Sequence, residues 1–189
     1  MGVSTAVTRI AFLDRDGVIN RCGPSLSGTP VPPRCAGELE LLPRVKKACA
    51  LLRAADFKLV VVTNQPDVAR GTLERAVVEE INERLARRLA LDDVRVCFHD
   101  DADVCGCRKP APGLLLAAAA EFDGDLRASV MVGDRWRDVE AGRRAGCATV
   151  LVGAGWGEPF PTQPDHRAAD LFDAALWITS TVPTEEGQA

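Results

Sequence analysis

A doubly wound α/β fold is predicted by three observations: short apolar segments rich in β-branched residues, helical periodicity between them, and polar residues gathered where the segments end. The first segment, RIAFLD at 9–14, is apolar almost throughout, as expected of a parallel strand covered on both faces. Residues 43–55, PRVKKACALLRAA, open on a proline suited to a first helical turn. KLVVVTN at 58–64 reads as the second strand. The helix at 73–89 places Leu73, Val77, Ile81, Leu85 and Leu89 four apart. VRVCF at 94–98 is the third strand and PGLLLAAAAEF at 112–122 the third helix. SVMVGD at 129–134 leads into WRDVEAGRRAG at 136–146, whose Gly146 is placed to end the helix, and ATVLVG at 148–153 is the fifth strand.

Two segments interrupt the alternation. Residues 21–38, rich in Gly, Pro and Ser, read as a long loop, and CFHDDADVCGCRKP at 97–110 as another; loops of this length are more often functional than idle. A single domain over 1–178 is expected, with 179–189 as a flexible tail.

The chain has 189 residues, 47% apolar and 26% charged, which fits a soluble globular domain and excludes collagen-like, disordered and coiled-coil classes. No apolar run approaches the roughly 18 residues of a bilayer span, and the N-terminus lacks the pattern of a secretory leader. A cytoplasmic location is therefore expected, where the seven cysteines stay reduced. A net charge of -4 attracts no nucleic acid. The expected partner is a small phosphorylated substrate, with neither nucleic acid nor membrane, and the expected state is a monomer.

In such sheets ligands gather beyond the carboxyl ends of the strands. There stand Asp14, Arg15 and Asp16, then Thr63, Asn64 and Gln65, then Asp134. Carboxylates brought together repel unless a cation sits between them, and hard oxygen ligands suit Mg²⁺, which would in turn hold a phosphate. Taken singly, each Asp reads as a turn residue or helix cap. The ordered set DRDGVIN, TN, RKP and GDRWRD reads as catalytic.

Cys97, His99, Cys105 and Cys107 have the spacing C-x-H-x5-C-x-C. A closed Cys₃His set is the signature of structural Zn²⁺; a disulfide conflicts with a reducing compartment, and an accidental cluster is the remaining alternative. The metal would fix Arg108 and Lys109 at the mouth of the phosphate site, where small displacements are costly.

From residue 9 to about residue 153 this arrangement resembles the haloacid dehalogenase superfamily of phosphohydrolases. The resemblance implies that Asp14 attacks phosphorus and Asp16 protonates the leaving group. A carboxylate with an ordinary pKa near ~3.9 needs no base to activate it at neutral pH. It also implies phosphate binding by Thr63 and Asn64, charge neutralisation by Lys109, and Mg²⁺ ligation by the Asp14 carboxylate, the Asp16 backbone carbonyl and the Asp134 carboxylate. Asp138, one turn beyond Asp134, reads equally as support for the site or as a helix-dipole residue.

The zinc loop ending C-x-C-R-K-P, without a large cap insertion, is similar to the subgroup of heptose-bisphosphate and histidinol-phosphate phosphatases. VVVTNQPDVARGTL at 60–73 resembles the heptose enzymes, adding Gln65 and Arg70 as substrate-binding candidates alongside Arg108 and Arg135. The short zinc-loop spacing is shared with the histidinol-phosphate enzymes. Pro66, Asp67 and the RCGPSLSG loop depart from the heptose pattern. The expected function is Mg²⁺-dependent hydrolysis of the 7-phosphate of a heptose bisphosphate through an aspartyl-phosphate, with histidinol phosphate as the alternative substrate. The acidic charge argues against a polynucleotide phosphatase, and the matched catalytic positions against a non-catalytic zinc-stapled module. Cys22, Cys35, Cys49 and Cys147 read as ordinary apolar or surface residues, Trp136 and Trp156 as core or helix-start residues, and His166 receives no role.

Overall fold

The computed structural model describes residues 7–23, 31–155 and 161–181. Six strands form one sheet: β1 (Arg9–Leu13), β2 (Phe57–Asn64), β3 (Asp93–Cys97), β4 (Val130–Gly133), β5 (Ala148–Val152) and β6 (His166–Ala168). Their order is β3-β2-β1-β4-β5-β6, and every neighbouring pair is parallel. The helices are α1 (Val45–Ala54), α2 (Arg75–Leu89), α3 (Gly113–Glu121), α4 (Trp136–Ala145) and α5 (Leu171–Thr181).

The continuous apolar character of the strands has a direct cause. Ala11, Leu13, Leu59 and Val61 face a core built with α1, α2 and α5, whereas Ile10, Phe12, Val60 and Val62 face a second core built with α3 and α4. Alternate residues of each strand are thus buried on opposite faces. Each fully buried Leu, Ile or Phe contributes roughly 1.5–3 kcal/mol. β1 lies between β2 and β4, so the chain winds outward in opposite directions from this pair and leaves a crevice beyond their carboxyl ends.

The boundaries differ from the sequence expectations at helix starts. Arg44 adopts φ 61, so α1 begins at Val45, and Leu73 precedes α2 in a loop. Gly146, at φ 88, closes α4 as its spacing predicts, and Trp136 starts that helix. Two elements were not anticipated. β6 is a three-residue edge strand, and α5 packs on α1 through Leu171, Ala174, Ala175 and Ile178. His166 stacks on Trp177 with centroids 4.7 Å apart, joining the two elements. The segment expected as a tail begins inside α5; residues 182–189 and Trp156 lie outside the described residues.

The 21–38 loop closes on itself where Gly23 and Val31 exchange backbone hydrogen bonds of 2.8 and 3.1 Å. Its later part is tied to α2 by Arg84, which donates to the Ala36 carbonyl. Among the described residues no helix is long and apolar enough to cross a membrane.

Candidate active site

The crevice beyond β1 and β4 is where the acidic residues meet. The Asp14 N–H donates to the Val132 carbonyl at 2.9 Å, which sets the first aspartate beside β4 and the Asp134 that follows it. Asp138, in the first turn of α4, accepts from the Arg135 N–H at 3.0 Å with Oδ2. Its Oδ1 lies 2.6 Å from Lys109 Nζ. Lys109 also reaches Asp14 Oδ1 at 2.7 Å and the Val62 carbonyl at 2.8 Å, and is only 2% exposed. One ammonium thus bridges residues that follow β1 and β4.

Asp14, Asp134 and Asp138 each present a buried carboxylate oxygen, all within 4.8 Å of one another. Three carboxylates against one ammonium leave an excess of negative charge among buried side chains. That donor set fits a small hard cation. The backbone is shaped for this closeness: a Cβ on Gly17 would lie 2.0 Å from Asp134 Oδ2, and one on Gly133 would lie 2.0 Å from the Asp138 Cβ. Burial pushes the Asp14 pKa up to about 6 despite Lys109, with Asp138 and Asp16 adding to the rise. Burial alone would depress Lys109, but Asp138 and Asp14 outweigh it and hold the ammonium above its usual range.

The Asp16 carboxylate lies outside that group of three. Its Oδ2 accepts from Arg15 Nε at 3.1 Å, Arg15 Nη2 at 2.8 Å and Gln65 Nε2 at 2.8 Å, and its Oδ1 from Asn20 Nδ2 at 2.8 Å. Burial opposes ionisation, yet Arg15, Asn20 and Gln65 together bring the pKa below the usual value. Arg15 is itself fully buried and donates through Nη1 to Asn82 Oδ1 on α2 at 2.9 Å. Gln65 also donates to Thr63 Oγ1 at 2.9 Å. Asn64 is turned to the Lys109 peptide, accepting its N–H at 3.1 Å and donating to its carbonyl at 3.0 Å.

The four soft ligands assemble as the spacing predicts. The Sγ atoms of Cys97, Cys105 and Cys107 lie 3.1 to 3.9 Å apart, and His99 Nδ1 is 3.2 Å from Cys107 Sγ and 3.5 Å from Cys97 Sγ. A tetrahedron with zinc–sulfur bonds of about 2.3 Å has edges near ~3.8 Å, so the set fits Zn²⁺. Gln65 N–H donates to the Cys97 carbonyl at 2.8 Å and joins the zinc loop to the end of β2.

At the rim, Arg70 grips Asp100 through two bonds of 2.8 and 2.6 Å. Arg108 meets Asp101 at 2.9 Å, and so does Arg137 at 2.7 Å. Arg135 contributes its N–H to the start of α4. The half-buried Cys22 thiol is pushed up to about 12 by burial and by the charges of Asp16, Asp134 and Asp14, so it borders the site un-ionised.

The structure therefore gathers Asp14, Asp134 and Lys109, surrounds Asp16 with Arg15, Asn20 and Gln65, and ties Arg70 and Arg108 to Asp100 and Asp101 of the zinc loop. Sequence reasoning placed Arg15 at the strand end without giving it a role, and missed Asn20, Asn82 and the acidic pair of the zinc loop. Asn82 carried a signal, since it stands among Val78, Ile81 and Leu85 on the buried stripe of α2. Asp100 and Asp101 carried none, because acidic residues in a polar loop read as solvated.

Comparison with known proteins gives concordant results. The family model for haloacid dehalogenase-like hydrolases matches residues 33–146. The D-glycero-beta-D-manno-heptose-1,7-bisphosphate 7-phosphatase of Bordetella bronchiseptica is 37% identical over 154 residues, covering 79% of this chain and 83% of that protein. The D-glycero-alpha-D-manno-heptose-1,7-bisphosphate 7-phosphatase of Mycobacterium tuberculosis is 39% identical over 153 residues, covering 75% and 78%. The crystal structure of the B. bronchiseptica D,D-heptose 1,7-bisphosphate phosphatase, complexed with magnesium and phosphate, has a TM-score of 0.79 at 33% identity and covers 92% of this chain and 99% of its own.

Proposed function

This chain belongs to the haloacid dehalogenase-like hydrolases, and on that premise we propose that it is a Mg²⁺-dependent phosphomonoesterase removing the 7-phosphate of a D-glycero-D-manno-heptose 1,7-bisphosphate. The observation that carries this reading is the Lys109 ammonium seated between Asp14 and Asp138 beside Asp134, a cradle for one cation and one phosphoryl group. Mg²⁺ would be held by the carboxylates of Asp14 and Asp134 and the main-chain carbonyl of Asp16, and when bound supplies positive charge to the phosphoryl oxygens. Both Asp138 oxygens are already engaged, by Lys109 and by the Arg135 N–H, so Asp138 acts as the holder of the lysine.

The chemistry then follows from the chain's own groups. An Asp14 oxygen attacks phosphorus and the bond to the sugar oxygen breaks, with Asp16 giving that oxygen its proton. Water next attacks the aspartyl-phosphate while Asp16 takes a proton from it, restoring both carboxyl groups and releasing phosphate. Arg15, Asn20 and Gln65 hold Asp16 ionised; an arriving phosphate dianion disfavours that charge and raises its affinity for a proton. Lys109 offsets charge on the nucleophile and the phosphoryl oxygens. Thr63 Oγ1 accepts from Gln65, which leaves its hydroxyl hydrogen to donate to a phosphoryl oxygen. Asn64 fixes the Lys109 backbone, and Gln65 orients Asp16. Arg70, Arg108 and Arg135 are the cations for the substrate's second phosphate.

Cys97, His99, Cys105 and Cys107 would together hold a structural Zn²⁺, which would fix the loop that carries Arg108 and Lys109. Thiols that hold a metal must stay reduced, which suits a protein working in the cytoplasm. One observation favours histidinol phosphate instead, the five-residue gap between His99 and Cys105. Phosphate release from both anomers of the heptose bisphosphate and from histidinol phosphate, measured with zinc-loaded protein and Mg²⁺, decides the matter. The expected result is the higher kcat/KM on a heptose anomer; preference for histidinol phosphate would reverse the assignment. Asp14→Asn should abolish turnover while zinc content and fold persist.

A further inference from the structure

The buried pair of Lys109 and Asp138, 2.6 Å apart with each side chain only 3% exposed, brings together two stretches of backbone. Immediately before each partner stands an arginine, Arg108 before Lys109 and Arg137 before Asp138. Both guanidiniums converge on one atom. Arg108 Nε lies 2.9 Å and Arg137 Nη1 2.7 Å from the same Oδ1 of Asp101, at side-chain exposures of 11%, 31% and 56% from Arg108 outward to the carboxylate. Arg108 is held further by the His99 carbonyl, which accepts from its Nη1 at 3.2 Å, while its Nη2 comes no nearer than 3.9 Å to Asp100.

Asp100, the neighbouring carboxylate, is gripped by Arg70, so Asp101 is the carboxylate that Arg108 and Arg137 share directly beside the catalytic lysine. Each guanidinium has five N–H groups in a rigid fork, and the bonds described use only part of them. The Asp101 oxygen demonstrates that the two forks can share an anionic acceptor. Asp101 follows the zinc ligand His99 by two positions, so the ligand set controls where both arginines are drawn. We propose that Arg137, together with Arg108, forms a paired-guanidinium receptor for the phosphoryl group that is not hydrolysed, with Asp101 as the positioning residue that holds the two side by side. This rests on the bisphosphate reading above and adds to it a specificity-determining residue on α4.

A purely mechanical tie between the zinc loop and α4 would predict something different. Loosening it would disturb Lys109 and slow every substrate alike. The test uses zinc-loaded full-length chain, comparing the heptose 1,7-bisphosphate with p-nitrophenyl phosphate, which has one phosphoryl group, and reads the ratio of the two kcat/KM values. Arg137→Ala should lower that ratio about ten- to hundredfold through KM for the bisphosphate, the range for a lost hydrogen bond to a charged group. Arg137→Lys should restore part of it, keeping the charge without the fork. Asp101→Asn should lower it by a smaller factor. A ratio within twofold of wild type in Arg137→Ala, or an equal fall on both substrates, overturns the proposal. An Asp101→Asn ratio above wild type also overturns it, because the carboxylate would then be competing with phosphate. A wild-type protein inert toward the bisphosphate but active on p-nitrophenyl phosphate would remove the substrate assignment as well, an outcome distinct from the others.

Discussion

Replacing Gly17 with alanine tests the metal site through geometry alone. Gly17 has φ +89, and a Cβ there would lie 2.0 Å from Asp134 Oδ2 and 2.9 Å from its Cγ. Ordinary contact begins at 3.4 Å, so the carboxylate oxygen must retreat by about 1.4 Å. Magnesium–oxygen bonds tolerate only about 0.2 Å, and a misplacement of about 1 Å near reacting groups costs on the order of 100-fold in rate. The backbone adds roughly 1–2 kcal/mol of strain for an L-residue at positive φ. Gly146 supplies the control: its φ is +88, and a Cβ there meets nothing within 4 Å. Gly146→Ala carries the same kind of backbone strain without touching the site. The assay is initial phosphate release against Mg²⁺ concentration, with thermal unfolding and zinc content measured in parallel. Gly17→Ala should shift half-saturation to at least about tenfold higher Mg²⁺ and cut kcat by about 100-fold, while Gly146→Ala loses stability and keeps the wild-type Mg²⁺ curve. Superimposable Mg²⁺ curves for Gly17→Ala and wild type would refute the placement of Asp134 as a ligand.

Three further outcomes are expected. With Asp14 pushed up to about 6, the nucleophile gains a proton as pH falls through that value, so at limiting Mg²⁺ the rate falls on its acid side near pH 6. Saturating Mg²⁺ favours the carboxylate and should move that limb to lower pH; rate–pH profiles at two Mg²⁺ levels with the same acid limb would contradict this. Asn82→Ala removes the acceptor of the buried Arg15 Nη1 and should cost about 1.5–3 kcal/mol of stability together with kcat, at little change in KM. Denaturant unfolding and steady-state kinetics check it, and an unaltered kcat would show that Asp16 does not depend on this link. Cys107→Ser should release zinc and reduce turnover by about 100-fold by freeing Lys109 two residues on. Full activity in a zinc-free protein would dismiss the loop's role.

Much of the fold was readable because its signals are local. β1, β2 and β4 announce themselves as short continuous apolar runs, and Gly146 as a helix stop, since burial on both faces and positive φ each constrain residue type at the position itself. α5 was equally available in principle, with Leu171, Ala174, Ala175 and Ile178 on one face, but it follows a polar, proline-flanked stretch that weakened the pattern. β6 was not available: three residues, HRA, carry no alternation that could identify an edge strand.

The site divides along the same line. Asp14, Asp16 and Asp134 were singled out by their place at strand ends and given roles by the resemblance to the haloacid dehalogenase superfamily, and the zinc-ligand candidates by residue type and spacing, because a soft-metal set demands particular atoms. Which charge meets which was decided only in three dimensions. Asp138 had two equal readings until its carboxylate was found to cap α4 with one oxygen and hold Lys109 with the other. Arg15 and Asn82 are 67 residues apart, and Arg137 and Asp101 are 36 apart. Residue chemistry is written position by position, so the sequence by itself determined which candidate groups the site has to work with. Contacts between distant segments arise from packing helices on a sheet, so tertiary structure alone decided how those groups are aimed.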